Sequence, residues 1–275
     1  MSQTWTLAFA IAFVVALPAL FVLKRFHWLE SEWFSVVLPA GAFLLAFLVI
    51  WIGLSRARAR RRNAMEACAK RMGLSFDTDG DDFDLDPLSD LPMFAEPPGR
   101  YDTRDARNVM TGHRSGLDMA VLDYTYWDFT TSVKGTDMNT VACFRSDALR
   151  LPTFQLTALK GRLARGAARI ARTRRLRVRV VTLDGNPRFA EAYLLCGDDA
   201  QALRSLFTPS VMDFFVQHAG LFVQGSGQCL AVFRPLREFG LGGALGTWNL
   251  TKPEAIPALV EEGVAVAALF DKQHR

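Results

Sequence analysis

The chain has 275 residues, of which half are hydrophobic and 22% are charged, with a formal net charge of +4 and a mean hydropathy of +0.12. This composition excludes a disordered chain, a collagen-like chain and a small disulfide-rich scaffold. A positive mean hydropathy beside so many charges indicates that the chain combines two unlike parts, one apolar and one charged. The first 54 residues confirm the division, since their only Lys, Arg, Asp or Glu residues are Lys24, Arg25, Glu30 and Glu32.

Two uncharged runs, residues 4–23 and 34–54, predict transmembrane helices. At about 1.5 Å per residue each helix reaches about 30 Å, the thickness of the hydrocarbon core of a bilayer. The short connector between them, residues 24–33, is compatible only with an antiparallel hairpin. A cleaved signal peptide is the alternative for the first run, but the residues before it, Met1–Gln3, carry no basic group.

The orientation of this hairpin is predicted from a basic flank that follows the second run, consisting of Arg56, Arg58, Arg60, Arg61 and Arg62. The positive-inside rule places this flank in the cytoplasm. We therefore predict a multi-pass protein of a bacterial inner membrane with both termini in the cytoplasm. Its second span continues into a basic juxtamembrane helix at 55–75, followed by an acidic linker at 76–98 and a cytoplasmic domain at 99–275.

The cytoplasmic domain is predicted to be α+β, with a mainly antiparallel sheet packed by helices, because runs of strand patterns precede helical ones. A tight turn at 113–116 joins the first two strands, and the next two continue an antiparallel meander. The predicted strands cover 108–113, 117–126, 138–145, 153–157, 176–183, 192–196, 221–224 and 229–234. The predicted helices cover 159–171, 199–207, 209–218 and 253–272.

A second basic stretch, residues 160–179, contains nine Lys or Arg residues and no acid. Four of its arginines share one helical face, and the two open interpretations are a solvated face and docking on anionic phospholipid headgroups. Nucleic acid is disfavoured because no aromatic residue for base stacking lies between Phe154 and Phe189. The predicted lipid contacts here are Arg162, Arg165, Arg169 and Arg172.

Other chemical motifs are weak. Residues 77–86 hold six aspartates around Gly80, but they match the spacing of a calcium loop only in part, so a solvated linker is favoured over a cation site. Four widely spaced cysteines indicate buried thiols, and the glycines at 240–246 indicate a connector. We predict no catalytic residue, no metal and no cofactor.

The order of short motifs resembles an uncharacterised family of bacterial membrane-anchored proteins, which have N-terminal membrane helices and one α+β domain. The resemblance implies this architecture and no activity, and the matching segments are Asn108–Gly112, Leu122–Tyr126, Thr140–Phe144, Leu151–Leu156, Leu206–Pro209 with Phe214 and Phe215, and Glu261–Gly263.

The sequence favours a non-enzymatic binding or scaffolding module at the inner leaflet. Its predicted partners are the lipid bilayer, anionic headgroups and proteins of a membrane complex, with no nucleic acid. Two alternatives stay open. One is a membrane-bound enzyme with a pocket near His113 and Cys143, and the other is an accessory subunit of a membrane complex.

Overall fold

The computed structural model describes residues 32–94, 105–128, 135–159, 179–234 and 247–272, without the side chains of 32–40, 42–43, 46, 50, 126–128, 135–137 and 247–249. The predicted span 4–23, residues 160–171 of the predicted basic helix and the glycines at 240–246 lie outside these ranges. Among the residues described in this way, no helix is both long enough and apolar enough to cross a membrane. The chain divides into two compact units, Met1–Arg60 and Arg61–Arg275.

Helix α1 (Glu32–Met72) has two unlike ends. Six large apolar side chains near its middle are exposed, from Leu44 at 66% to Trp51 at 60%, whereas Met65 and Cys68 in its last two turns are fully buried. The helix ends at Gly73, whose φ of 70° favours glycine. The amide N–H groups of residues 73 and 74 donate to the carbonyls of Lys70 and Ala69, which completes a Schellman cap.

Ten strands in the described ranges form one sheet, in which β10 pairs with β4 in parallel and every other pairing is antiparallel. In chain order the strands are β1 (Ser75–Asp77), β2 (Asp105–Arg114), β3 (Leu117–Asp128), β4 (Gly135–Arg145), β5 (Leu151–Ala158), β6 (Arg179–Val181), β7 (Tyr193–Gly197), β8 (Phe222–Gly227), β9 (Cys229–Phe233) and β10 (Thr247–Asn249). Across the sheet the order is β1-β2-β3-β4-β9-β8-β5-β7-β6.

The predicted α+β class with an antiparallel sheet is confirmed, and so is the hairpin between β2 and β3. Its two turn residues, Ser115 and Gly116, have φ angles of 53° and 78°, as a tight hairpin turn requires. The predicted meander from β4 into β5 is wrong, because the β8–β9 hairpin lies between them. All five residues of β9 are buried, so this strand needs neighbours on both sides and takes a central position.

One face of the sheet is covered by helices. Besides the end of α1, these are α2 (Pro187–Ala192), α3 (Ala200–Leu206), α4 (Pro209–Gln217) and α5 (Ile256–Lys272). Helix α5 approaches β4 closely, since a Cβ placed on Gly263 would collide with the ring of Phe144. A large aromatic cluster, including Phe154, Phe207 and Phe270, fills the space between these helices and the sheet.

The opposite face is covered by the segment that the sequence predicts as an acidic linker. Leu88, Leu91 and Phe94 are buried there, and Phe94 packs against Tyr124 of β3 with ring centroids 4.5 Å apart. The segment therefore has two roles. Its aspartates are mostly exposed, while its apolar residues form a second core with buried apolar side chains of β2, β3, β4 and β9.

Candidate functional site

The side chain of Arg61 makes four hydrogen bonds, although it belongs to the basic flank of α1. Its Nε donates to Oδ2 of Asp123 at 2.7 Å and its Nη2 donates to Oδ1 at 2.6 Å, which is a bidentate ion pair. Nη2 also donates to Oγ1 of Thr140 at 2.9 Å, and Nη1 to the carbonyl of Thr251 at 3.0 Å. The side chain of Arg61 is 17% exposed, so the guanidinium is largely removed from water.

Asp123 lies on β3, on the helix-covered face of the sheet, where alternation places it with Met119 and Val121. Its carboxylate is 2% exposed and accepts two further hydrogen bonds. Oγ1 of Thr140, directly opposite on β4, donates at 2.8 Å, and Nδ2 of Asn108 donates at 2.9 Å. Each carboxylate oxygen thus has two donors, which offsets much of the cost of burying the charge.

Asn108 reaches this carboxylate because β2 is irregular there. The register between β2 and β3 shifts between Arg107 and Met110, and Asn108 has a left-handed φ of 50°. Asparagine tolerates that conformation better than most residues. Its backbone N–H donates to the carbonyl of Thr78 at 2.9 Å, so the bulge also holds the start of the acidic segment.

Thr251 brings in the segment before α5. Its backbone N–H donates to Oγ1 of Thr140 at 3.0 Å while its carbonyl accepts from Arg61. Its own hydroxyl is buried and has no hydrogen-bond partner among the described residues. We call the group Arg61, Asp123, Thr140, Asn108 and Thr251 the Arg61 cluster. It joins α1, β2, β3, β4 and the entry to α5.

Chemically, the Arg61 cluster suits positioning better than reaction. Its two charges cancel, four of the five N–H donors of Arg61 are used, and both oxygens of the Asp123 carboxylate are occupied. Removing one partner of a buried ion pair costs about 3–5 kcal/mol, because the other charge stays buried and unpaired. The cluster therefore fixes residues 61–72 of α1 on the sheet.

The other four arginines of the flank have a different environment, because Arg56, Arg58, Arg60 and Arg62 are all exposed. Their contact with lipid stays a prediction, whereas the guanidinium of Arg61 is engaged within the domain. The predicted lipid contacts of the second basic stretch, Arg162, Arg165, Arg169 and Arg172, lie outside the described residues.

His113 and Cys143 do not form a common site. His113 is at the β2–β3 hairpin end, 82% exposed, with its Nδ1 2.5 Å from Oδ1 of Asp118. Cys143 is 3% exposed on β4, and burial raises the pKa of its thiol, with a smaller contribution in the same direction from Cys229. Strands β2 and β4 lie on opposite sides of β3, about 10 Å apart. A protonated, inaccessible thiol is a poor nucleophile.

A second polar cluster lies at the surface beside α5. Arg234, just after β9, donates from Nε and Nη2 to the two carboxylate oxygens of Glu262 at 3.0 and 2.6 Å. Nδ1 of His218 is 3.5 Å from the same carboxylate, and its ring stacks on Phe214 with centroids 4.2 Å apart. The hydroxyl of Tyr193 donates to the carbonyl of His218 at 3.1 Å. This cluster ties α4, α5 and β9 together.

Two further predictions concern the cysteines and the acidic segment. All four cysteines are free and buried, which confirms the predicted buried thiols. In the part of the chain that the structure describes, no three His, Cys, Asp or Glu side chains are arranged to hold a metal ion. Asp77 and Asp84 instead accept hydrogen bonds from the backbone N–H groups of Asp79 and Asp86.

A groove of about 350 Å³ lies between Leu183, Arg204 and Met212, on the helix-covered face of the sheet. None of the residues that line it belongs to either polar cluster.

The comparisons with known proteins are sparse. No family model matches the chain, and no curated protein matches it. Among solved structures it is similar to the crystal structure of the mycobacterial trehalose monomycolate transport factor A, TtfA, at 14% identity over 80% of this chain and 96% of that chain, with a TM-score of 0.48. A similarity of this size carries no argument about function, and the family resemblance in the motifs stays a prediction.

Sequence reasoning missed the central role of Asp123. One signal was available, because an aspartate stands at an inward position of a strand whose neighbours on that face, Met119 and Val121, are apolar. A buried carboxylate requires a cationic or hydrogen-bonding partner. The rotation of α1 about its axis determines which of the five flank arginines is this partner. The arginine spacing alone does not define that rotation.

Proposed function

We propose that this chain is a membrane-anchored, non-enzymatic binding or scaffolding module, with its α+β domain on the cytoplasmic side of a bacterial inner membrane. The uncharged runs at 4–23 and 34–54 are the proposed anchor, and the basic flank sets the orientation. The domain starts within the juxtamembrane helix itself.

The observation that carries the proposal is the contrast along α1. Large apolar side chains between Leu44 and Trp51 are exposed at many angles around the helix axis, which is typical of a helix surrounded by lipid. Further along, Met65, Cys68 and Ala69 are fully buried in the domain core, and Arg61 is bound to Asp123. A helix used in this way attaches a folded domain directly to its anchor.

The two polar clusters are the reason why we propose a non-enzymatic role. In each, the carboxylate is held by an arginine in a bidentate pair, so neither carboxylate is available as a general base without breaking that pair. The thiol of Cys143 is buried and protonated, and His113 is at an exposed hairpin end. These observations favour binding or assembly over catalysis.

The test uses the full chain with a C-terminal tag, expressed in bacteria. After an alkaline carbonate wash, we expect the protein to stay with the membranes, and added protease to remove the tag in inverted vesicles but not in spheroplasts. Release by carbonate would overturn the anchor, and tag removal in spheroplasts would overturn the orientation. A soluble cytoplasmic protein and a known two-span membrane protein, processed in parallel, are the controls.

A further inference from the structure

Three exposed arginines of α1 precede Arg61, and they lie on two opposite sides of the helix. With 3.6 residues per turn, Arg56 and Arg60 are about one turn apart on one side, while Arg58 lies about 200° away from Arg56. Positive charge is thus presented on opposite sides of the same helix. We call Arg56, Arg58 and Arg60 the arginine collar.

From this arrangement we infer that the arginine collar binds anionic phospholipid headgroups as an annulus around the helix. A protein or nucleic acid that docks on a helix contacts one side of it, and would be matched by a one-sided stripe. Headgroups surround a helix that crosses the bilayer, and they match charges on opposite sides of it. The inference rests on the proposed membrane anchor and names the lipid class that the anchor prefers.

Distance along the helix supports the same partner. At about 1.5 Å per residue, Arg56 and Arg60 lie about 3 and 9 Å beyond Leu54, where the predicted span ends. Long arginine side chains extend back toward the interface, and charges interact over a Debye length of about 8 Å at physiological ionic strength. The collar therefore lies within reach of the leaflet.

Two other positive charges on α1 provide a contrast. Lys70 and Arg71 are exposed like the collar, but they stand 16 and 17 residues after Leu54 in the sequence, in the last turn of α1. Lys70 also pairs with Glu66 at 3.0 Å. Arg61 is a second contrast, since it belongs to the flank yet donates to Asp123. Arg71 is thus a matched control, with the same residue type on the same helix but well after the predicted span.

The test measures lipid enrichment around the full chain. The protein is inserted into vesicles of phosphatidylcholine with a minority of phosphatidylglycerol and extracted with its surrounding lipid in polymer-bounded nanodiscs, and the two lipids are quantified by mass spectrometry. We expect Arg56→Gln and Arg58→Gln each to lower phosphatidylglycerol enrichment up to about fivefold, which corresponds to about 1 kcal/mol per arginine. Arg71→Gln should leave it unchanged.

Three outcomes would overturn the inference. Equal losses of phosphatidylglycerol enrichment for Arg71→Gln and Arg58→Gln would indicate that enrichment depends on net charge and not on the position of the arginines. A loss for Arg56→Gln without one for Arg58→Gln would show that headgroups contact one side of the helix only, which contradicts an annulus. No enrichment in the unmodified chain would remove the collar as a lipid site. Absence of the chain from the lipid particles would instead overturn the anchor, so the two failures are distinguishable.

Discussion

Two arginine–carboxylate pairs connect helices to the sheet, and they differ in how much water they contact. Arg61 and Asp123 are 17% and 2% exposed, whereas Arg234 and Glu262 are 34% and 21% exposed. Both pairs are bidentate, with closest distances of 2.6 Å. Geometry alone does not determine how much an ion pair contributes to stability. The cost of breaking the pair also depends on whether water can replace the lost partner.

The largest expected effect is at the buried pair. Asp123→Ala leaves the Arg61 guanidinium buried without its counter-charge, and we expect the free energy of unfolding to fall by about 3–5 kcal/mol. Urea unfolding of the full chain in detergent micelles measures this loss. The control is Asp118→Ala on the same strand, whose carboxylate is 64% exposed and whose loss should cost less than about 1 kcal/mol. Equal losses for the two variants would contradict the contrast between buried and exposed pairs.

At the half-exposed pair the effect should be smaller. Glu262→Ala frees Arg234 to extend into water, so we expect a loss of about 1 kcal/mol under the same conditions. High salt should reduce this difference more than it reduces the effect of Asp123→Ala, because salt screens exposed charges better than buried ones. A loss as large as that of Asp123→Ala would show that solvent access does not distinguish the pairs.

The second cluster also predicts a dependence on alkaline pH. Burial raises the pKa of Tyr193 above its ordinary value; hydrogen bonding at Leu221 and the charge of Arg234 act against this effect. A raised folded-state pKa means that the unfolded chain loses the proton first. The contribution to stability is therefore complete below about pH 10 and is lost as pH rises further, by at most about 1.4 kcal/mol per pH unit. Tyr193→Phe should flatten this slope, and parallel curves for the two proteins would contradict the prediction.

The smallest expected effect is at the hairpin end. His113→Gln removes an exposed pair with Asp118, and we expect the free energy of unfolding to change by less than about 0.5 kcal/mol. Thermal unfolding followed by circular dichroism is sufficient to measure it. A large loss would mean that His113 has a structural partner, and would reopen the alternative of a site around this residue.

Much of the fold was predictable because its signals are local. The hairpin between β2 and β3 follows from alternating residues around Ser115–Gly116, and α4 follows from Thr208 with Pro209 at the first helical position. The position of β5 was not predictable in this way. Sequence-adjacent strands usually pair, but here β9 pairs with β4 and β8 pairs with β5, so the β8–β9 hairpin separates β4 from β5.

The acidic segment and the Arg61 cluster show why long-range features were harder to predict. Charge density around Asp79–Asp86 hid the fact that Leu88 and Leu91, which directly follow those charges, are buried against the sheet. Arg61 is chemically identical to its neighbours Arg60 and Arg62, and it differs only in facing Asp123, which is 62 residues further along the chain. The local pattern around Asp123 indicates that a partner is needed but does not identify it, because the contact depends on the rotation of α1 against a sheet that forms from distant segments.

Amide hydrogen exchange of the full chain in lipid nanodiscs tests most directly whether the juxtamembrane helix belongs to the domain. We expect the amides of residues 61–72 to exchange as slowly as those in the central strands β4 and β9, because both should require global unfolding. Asp123→Ala should accelerate exchange in 61–72 before it affects these strands. Fast exchange of 61–72 in the unmodified chain, with β4 and β9 still protected, would contradict this account of α1.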